Sequence, residues 1–279
     1  MEKEQIIASD KVKKIIEAIQ ERTRTTAYKL IIQKDSKPDL FDSKFGGVPY
    51  WDKAMEYPAD SEGEKLMLLA QINFDRAEVD ERLPQQGILQ FFIAADDLFG
   101  ADFDHSDEQK GFRVIYHEKP DYTVTREQVL AMGIPICTDA ESTPVFKEAA
   151  VRIAANEVYM GDYDLRFSDI FRQVVKALSG EDISGKRAWD YLDEEDFNYL
   201  DGALKNDGHH MLGYPYFTQY DPRTSTEYYD TVLLQIDSEM IDHEDYVLWG
   251  DCGVANFFIN SEALKKRDFS KVLYNWDCC

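Results

Sequence analysis

Four polar side chains interrupt or border apolar stretches of this sequence, and they are the residues best placed to bind a ligand. They are Gln71, Gln235, Asp251 and Asn256. A buried amide or carboxylate without a partner costs about 1–3 kcal/mol, so each of them needs one. Two interpretations stay open. Either the four side chains bond the backbone where strands cross, or they line a ligand cleft together with Trp51 and Trp249.

The candidate nucleophiles and metal ligands follow no recognised catalytic or metal-binding pattern. Cys252 lies between Asp251 and Gly253, and a nucleophilic thiol there would need a nearby base that the sequence does not reveal. A glycine-flanked turn is the favoured interpretation. Adjacent His209 and His210 would point to opposite faces of a strand and would not share a metal ion. The sequence therefore predicts no metal site and no cofactor.

The cysteines and the opening residues bear on the compartment. The four cysteines are Cys137, Cys252, Cys278 and Cys279. They form no CxxC pair and are too few for a disulfide framework in a chain of 279 residues, which favours a reducing compartment. Met1–Lys14 is rich in Glu and Lys, unlike a signal peptide, and no run of about 18 apolar residues follows. The sequence predicts a cytoplasmic protein that does not engage a membrane.

Acidic residues dominate the charge balance, with 54 Asp and Glu against 31 Lys and Arg and a net charge of −23. This balance disfavours nucleic-acid binding, which requires Lys and Arg to neutralise phosphates. The loop Asp96–Glu108 concentrates acids, yet a calcium-binding EF-hand loop would need Gly and Glu where Asp107 and Arg113 stand. The loop is either simply solvated or an acidic face for a cationic protein, with Phe99 and Phe103 as anchors.

Apolar periodicity predicts the elements that position these residues. Helices are predicted after the N-cap Ser9, over Ser168–Leu178 up to Gly180, over Glu194–Leu204 and over Ser261–Arg267. Strands are predicted at Ala27–Gln33, Leu66–Phe74, Gly87–Ala94, Phe112–His117, Thr231–Asp237, Val254–Asn260 and Lys271–Trp276. The acidic run Asp193–Asp196 suits the start of a helix, because the positive end of the helix dipole favours carboxylates.

The order of signals in the first half of the chain recurs in its last third. Four pairs keep nearly constant separations: Pro49 and Pro215 (166), Gln71 and Gln235 (164), Phe91 and Phe257 (166), and Tyr116 and Tyr274 (158). We therefore expect two repeats, at about 41–118 and 209–276, which superpose strand on strand and are separated by an insertion at 119–208. A concave site would form where the repeats meet.

Four segments carry a resemblance to a known family. They are Phe45–Trp51 (FGGVPYW), Leu68–Phe74 (LLAQINF), Gly87–Ile93 (GILQFFI) and Trp249–Ile259 (WGDCGVANFFI). In these segments the chain resembles the YwqG-like family of uncharacterised bacterial proteins. The resemblance covers most of the chain and implies a mixed α/β body of unknown function that is usually cytoplasmic. It implies no catalytic residue, because the family has no established one.

Together these features predict a single α+β domain over residues 1–279. It is β-rich and internally duplicated, with two related and mostly antiparallel sheet units, peripheral helices and the central insertion. The predicted function is non-catalytic binding of a small molecule or a cationic protein, through the cleft between the repeats or through an acidic face. The alternative is a hydrolase or transferase that uses carboxylates in that cleft.

Overall fold

The structure, a computed structural model, describes residues 8–136 and 142–279, and Cys137 lies outside the described residues. These two ranges hold six helices and twelve strands. The helices are α1 (Asp10–Thr23), α2 (Arg126–Leu130), α3 (Phe167–Ser179), α4 (Ala188–Tyr191), α5 (Glu194–Leu204) and α6 (Ser261–Lys265). The strands are β1 (Thr25–Ile32), β2 (Lys44–Phe45), β3 (Met67–Asn73), β4 (Ile88–Ile93), β5 (Phe112–His117), β6 (Ala149–Val158), β7 (His210–Leu212), β8 (Thr231–Asp237), β9 (Glu239–Ile241), β10 (Glu244–Val247), β11 (Val254–Ile259) and β12 (Val272–Asp277).

Ten of the strands form one antiparallel sheet, in the order β12-β11-β8-β7-β1-β6-β2-β3-β4-β5, and β9 and β10 form a separate hairpin. β1 and β6 pair at the centre, from Thr25 opposite Val158 to Ile32 opposite Val151. We call β2–β5 the first half-sheet, and β7, β8, β11 and β12 the second half-sheet. The fold class is α+β with β-structure dominant, which confirms the prediction from the sequence.

Each half-sheet is preceded in the chain by one strand, β1 or β6, and that strand pairs with the other half-sheet. β1 precedes β2 in the chain but hydrogen-bonds to β7, whereas β6 precedes β7 but hydrogen-bonds to β2. The sequence does not predict β6, which falls within the segment 119–208 that it assigns to an insertion. The strand escapes an apolar pattern because only Ala149 and Val151 are buried among its ten residues.

The other predicted elements lie within a few residues of the observed ones. β3, β4 and β11 are buried at every residue, as continuous apolar runs should be when both faces of a strand are covered. The Ser9 hydroxyl caps α1 by accepting a hydrogen bond from the backbone N–H of Val12 at 3.2 Å. Gly180 ends α3 with φ of 74°, a left-handed conformation that glycine adopts without strain.

The two half-sheets pack face to face around an aromatic core. Phe91 of β4 and Phe257 of β11 meet edge to face, with ring centroids 5.0 Å apart, and Tyr274 of β12 stacks on Phe257 at 4.5 Å. A second core lies between the helices, where α1 and α3 bury apolar faces that include Ile16 and Phe171. The sheet core fixes how the halves face each other, and the helical core holds the segment that builds the pocket described below.

The strand register corrects one pair of the predicted repeat. Phe91 lies opposite Val114, whereas Phe257 lies opposite Tyr274. Tyr274 therefore occupies the place of Val114 and not of Tyr116, and the separation is 160 residues instead of 158. A strand repeats its facing every two residues, so a shift of two leaves the pattern of inward and outward side chains unchanged.

Candidate functional site

Gln71 is fully buried in β3, and the backbone of a preceding loop satisfies its amide. Its Oε1 accepts a hydrogen bond from the backbone N–H of Tyr50 at 2.8 Å. Its Nε2 donates to the carbonyl oxygens of Leu40 and Asp42, both at 2.9 Å. The side chain thus fastens the irregular segment 40–50 to the sheet, which is the first of the two interpretations offered by the sequence.

Gln235 makes the same three bonds in the second half-sheet. Its Oε1 accepts from the backbone N–H of Tyr216 at 2.8 Å, and its Nε2 donates to the carbonyls of Asn206 and Gly208 at 2.8 and 2.9 Å. Each partner lies 166 residues after its counterpart around Gln71. The backbone bonds leave neither glutamine with an unused amide proton.

Asn256 continues this pattern. Its Nδ2 donates to the carbonyl of Tyr216 at 2.9 Å, just as Nε2 of Gln90 donates to the carbonyl of Tyr50 at 2.7 Å. Asn256 is fully buried, and its Oδ1 has no hydrogen-bond partner in the described part of the chain. The amide therefore has a structural contact on one side and one unused acceptor on the other.

The two tryptophans are also buried, and they lie in different halves. Trp51 donates its indole N–H to the carbonyl of Met55 at 3.2 Å and packs against Tyr57 and His117. Trp249 packs against Phe99, and its indole N–H has no partner among residues 8–136 and 142–279. Asp251, by contrast, is exposed. The structure therefore does not bring the six predicted site residues to one open surface.

The acidic loop Asp96–Glu108 is folded against the second half-sheet. The backbone N–H of Tyr274 donates to the carbonyl of Ser106 at 2.8 Å, and the Tyr229 hydroxyl donates to Asp107 at 2.8 Å. Phe99 is buried within this contact and packs in the core. It is therefore not the surface anchor that the sequence suggests. Phe103 keeps 53% of its surface exposed.

Two of the cysteines near Asp251 contact each other. Cys252 and Cys279 approach each other with a Sγ–Sγ distance of 3.1 Å, and this contact raises the pKa of the Cys279 thiol to about 11. A thiol with so high a pKa stays protonated near neutral pH. Within the described ranges, no three His, Cys, Asp or Glu side chains converge as a metal site would require.

A different cavity combines carboxylates with exposed aromatic rings. It measures about 460 Å³ and lies between the segment that carries α3, α4 and α5 and the loop that follows β7. We call it the aromatic–carboxylate pocket, and its lining includes Asp162, Tyr163, Trp189, Phe197, Asp201 and Tyr220, together with one cation, Arg187. Trp189 and Tyr220 expose 52% and 71% of their surface. Large apolar rings left open to solvent at a concave site are typical of a ligand-binding surface.

Short helices place these side chains. Asp193 caps α5 by accepting a hydrogen bond from the backbone N–H of Asp196 at 2.8 Å, so the predicted acidic helix start is confirmed. Phe197 and Asp201 lie four residues apart on α5 and so share one face of the helix. On α4, the ring of Trp189 lies under the Arg187 guanidinium, 4.0 Å from the ring centroid.

The carboxylates of this pocket are poorly compensated. Burial, assisted by the nearby charge of Asp201, raises the pKa of Asp162, although Arg187 opposes the shift. Burial also raises the pKa of Asp201, although Lys205 opposes the shift. The same two causes, burial and Asp201, raise the pKa of Tyr163 to about 12. Neither Asp162 nor Asp201 has an ion pair within the ranges that the structure describes, so their negative charge is available to a ligand.

An ion-pair motif occurs three times in the sequence, and two of its copies contribute to one wall of the pocket. The tripeptide Asp-x-Arg occurs at 80–82, 164–166 and 221–223. In each, the aspartate Oδ1 accepts from the arginine backbone N–H and Nε, and Oδ2 accepts from Nη2 at 2.6 Å. This clip fixes the guanidinium in one orientation. Its recurrence is the signal that our sequence analysis missed.

The pairs at 164–166 and 221–223 also contact each other. Asp164 is fully buried and lies 3.5 Å from Arg223 as well as binding Arg166. Burial is the largest single influence on the pKa of Asp164 and raises it, but the hydrogen bonds from Arg166 and the charges of Arg166 and Arg223 together outweigh burial, and the net shift is downward. The pKa of Asp164 thus lies below that of an ordinary aspartate, whereas the pKa values of Asp162 and Asp201 lie above it.

Comparison with known proteins identifies a family. Residues 43–278 match the family described as Domain of unknown function (DUF1963). The chain belongs to the DUF1963 family. No curated protein matches the chain. The match covers both half-sheets and every lining residue of the aromatic–carboxylate pocket, while the YwqG-like resemblance stays a prediction.

No helix within the described ranges is long and apolar enough to cross a bilayer.

Proposed function

We propose that this DUF1963 protein binds a cationic organic group, an alkylammonium or a guanidinium, in the aromatic–carboxylate pocket. The single observation that carries the proposal is the pair Asp162 and Asp201. They are two half-buried carboxylates with raised pKa values and no ion-pair partner in the described residues, and they lie among exposed aromatic rings. A bound cation would relieve both the mutual repulsion and the desolvation of these groups.

The aromatic rings suit the same ligand. The face of an indole or phenol ring attracts a cation, by about 0.5–1 kcal/mol at an exposed site and more when water is excluded. Trp189 shows this property within the protein, because Arg187 already stacks on its ring at 4.0 Å. An incoming guanidinium or ammonium would meet Tyr163, Phe197 and Tyr220 as further rings. The carboxylates would give the charge preference and the rings the preference for an organic cation.

Binding titrations test the proposal. Choline and agmatine are titrated calorimetrically into the protein, with Trp fluorescence as a second measurement. Asp162→Asn and Asp201→Asn should each weaken the affinity about tenfold, which is about 1.4 kcal/mol. Trp189→Ala should weaken it about threefold, as expected for one exposed cation–π contact. Glu195→Gln is the matched control, because Glu195 is exposed on the same helix as Asp201 but does not line the pocket.

The same titration distinguishes the source of the cation. A lysine-containing peptide and its acetylated form separate a protein partner from a small molecule, because acetylation removes the charge. Binding of the free peptide alone would indicate a cationic protein, as the sequence analysis suggested for an acidic face. The proposal would be wrong if the wild type and Asp162→Asn bound both choline and agmatine with equal affinity.

A second candidate is catalysis by the same carboxylates. An upward shift of the pKa is also the direction of change that a carboxylic acid needs to act as a proton donor, so the same geometry suits a hydrolase or transferase in which Asp162 is the general acid. Turnover of esters and glycosides of choline-like alcohols would test it. Loss of turnover in both Asp162→Asn and Asp201→Asn, with binding retained, would favour catalysis over binding.

We also propose that the two halves arose by duplication and that the protein is cytoplasmic. The three matching bonds of Gln71 and Gln235 support the first idea, since unrelated strands have no reason to share partners 166 residues apart. The free thiols of Cys252, Cys278 and Cys279 support the second.

A further inference from the structure

We infer that a second pocket, between the two halves, binds a small oxyanion: a carboxylate or a phosphate group. This cavity measures about 280 Å³ and is lined by Arg82, Arg166 and Lys265, with hydroxyl groups from Thr25, Thr231 and Ser261. We call it the arginine pocket. Three cations converge there although the chain carries a net charge of −23. The inference is independent of the cation site proposed above.

The two guanidiniums come from segments that are far apart in the sequence. Arg82 belongs to the loop between β3 and β4 of the first half-sheet, and Arg166 opens the segment that leads into α3. Arg267 joins the two halves, because its Nη2 donates to the carbonyl of Leu83 at 2.9 Å. The pocket therefore exists only where both halves meet, which is the location that the sequence analysis expected for a ligand site.

Each guanidinium is held rigidly by its own aspartate and keeps donors unused. Asp164 occupies the Nε and Nη2 edge of Arg166, and no acceptor in the described residues takes the Nη1 protons or the remaining Nη2 proton. This second edge is the one that binds a carboxylate or phosphate with two parallel bonds. The Arg166 side chain is 34% exposed, so the free edge is accessible.

Arg82 offers a further donor in a fixed orientation. Asp80 binds its Nε and Nη2, while Nη1 donates to the Thr25 hydroxyl at 3.3 Å and Nη2 to the carbonyl of Thr26 at 2.9 Å. One Nη1 proton remains, on a side chain that is 39% exposed. Because the arginine is already ordered, a ligand does not have to immobilise it, and the entropic cost of binding is smaller.

The carboxylate that lines this pocket is already committed. Asp230 accepts a hydrogen bond from the backbone N–H of Ser261 at 2.7 Å and from its hydroxyl at 2.6 Å. The Thr231 hydroxyl donates to the same group at 3.1 Å. These three donors satisfy the carboxylate of Asp230. Lys265 adds an exposed ammonium, which pairs with Glu262 at 2.7 Å.

Calorimetric titration with inorganic phosphate and with malonate tests the inference, with sodium chloride at the same ionic strength as the control for non-specific charge effects. Arg82→Gln and Arg166→Gln should each weaken binding of the preferred anion at least about tenfold, or about 1.4 kcal/mol. Arg172→Gln is the matched control, because it removes an arginine that is also paired with an aspartate but lies outside the pocket. Its affinity should stay within about twofold of the wild type.

The choice between phosphate and malonate identifies the ligand class, since phosphate alone indicates a phosphate ester and malonate alone a carboxylate. If Arg166→Gln does not fold, because Asp164 loses its main partner, the double change Asp164→Asn with Arg166→Gln and the single change Lys265→Gln decide instead. The inference is overturned if neither anion binds more tightly than chloride, or if all pocket variants bind as the control does. Asp162→Asn should leave anion binding unchanged, which separates this outcome from failure of the cation site.

Discussion

Asp164 and Arg166 form a bidentate ion pair, with Nε–Oδ1 and Nη2–Oδ2 distances of 2.7 and 2.6 Å, that stands between two pockets. Asp164 lines the aromatic–carboxylate pocket and Arg166 lines the arginine pocket. The two side chains therefore present opposite charges to opposite sides of one wall. The first prediction follows from this pair.

Asp164→Asn should lower the free energy of unfolding by about 3–5 kcal/mol, because it removes the partner of a buried arginine network. Among the described residues, Arg223, whose side chain is fully buried, would keep Asp221 as its ion-pair partner and the carbonyl of Tyr229 as a neutral acceptor. Urea denaturation followed by circular dichroism measures the change. Asp169→Asn, in the exposed pair with Arg172, is the control and should cost less than about 1 kcal/mol. Equal losses in the two variants would show that burial of the network adds nothing.

Gln71→Leu and Gln235→Leu should destabilise the protein by similar amounts, at least about 3 kcal/mol each. Each change strands one backbone N–H and two carbonyls that the glutamine satisfies, and each buried group left unpaired costs about 1–3 kcal/mol. Urea denaturation of both variants provides the measurement. Gln86→Leu, at an exposed position, should stay close to the wild type. A large loss for one glutamine and none for the other would contradict the equivalence of the two loops.

Stability should fall as the pH drops from 7 to 5, because two histidines are buried in neutral form. Burial lowers the pKa of His117 and of His210 to about 4. Their folded pKa values lie below the unfolded value of about 6.5, so protons bind the unfolded chain first and stability is lost as the pH falls through this window. We expect a loss of about 2 kcal/mol per histidine between pH 7 and 5.

The pH series with His117→Gln assigns part of this effect. Its Nε2 lies 2.9 Å from Oε1 of Gln90, a contact that a glutamine amide can imitate. The variant should show a shallower loss of stability between pH 7 and 5 than the wild type. His243→Gln, an exposed position, should follow the wild-type curve. Parallel curves for all three proteins would mean that His117 is not held neutral.

Asp162→Asn should increase the free energy of unfolding near pH 7. The folded pKa of Asp162 is raised, chiefly by burial, so the folded chain holds its proton to higher pH than the unfolded chain does. The ionised group therefore lowers stability above that pKa, and removing it relieves the cost. The gain should shrink as the pH falls towards 4. Urea midpoints at pH 7 and 4.5 measure it, and a less stable variant at pH 7 would show that the carboxylate has an unseen partner.

The elements that the sequence predicts well are those with continuous apolar runs. GILQFFI and VANFFI could only be buried strands, and they became β4 and β11. β6 could not be predicted, because most of its residues are only partly buried or exposed. Its sequence, AAVRIAANEV, therefore shows no continuous apolar run. The exchange of β1 and β6 between halves was also invisible, since pairing across more than 100 residues leaves no local pattern.

The candidate site could be predicted least. Asp162, Trp189, Asp201 and Tyr220 come from four separate turns and helices, and only the packing of α3 and α5 on α1 brings their segments together. The polar residues that stood out in the sequence, such as Gln71, did so because strands rarely hold amides. Gln71 is buried there because backbone N–H and C=O groups of the neighbouring loop need hydrogen-bond partners. In the sequence, such a structural amide looks the same as one that binds a ligand.

The exchange of first strands interlocks the two halves. β1 enters the sheet between β6 and β7, and β6 enters between β1 and β2, so each half supplies the strand that the other needs to cover its edge. A protease that cut the chain between β5 and β6 would leave two fragments still joined by the eight-residue pairing of β1 and β6. Two separate copies of one half could close the same sheet by trading β1. Within one chain, the strand order β7-β1-β6-β2 thus gives the connectivity that a strand-swapped pair of separate subunits would have.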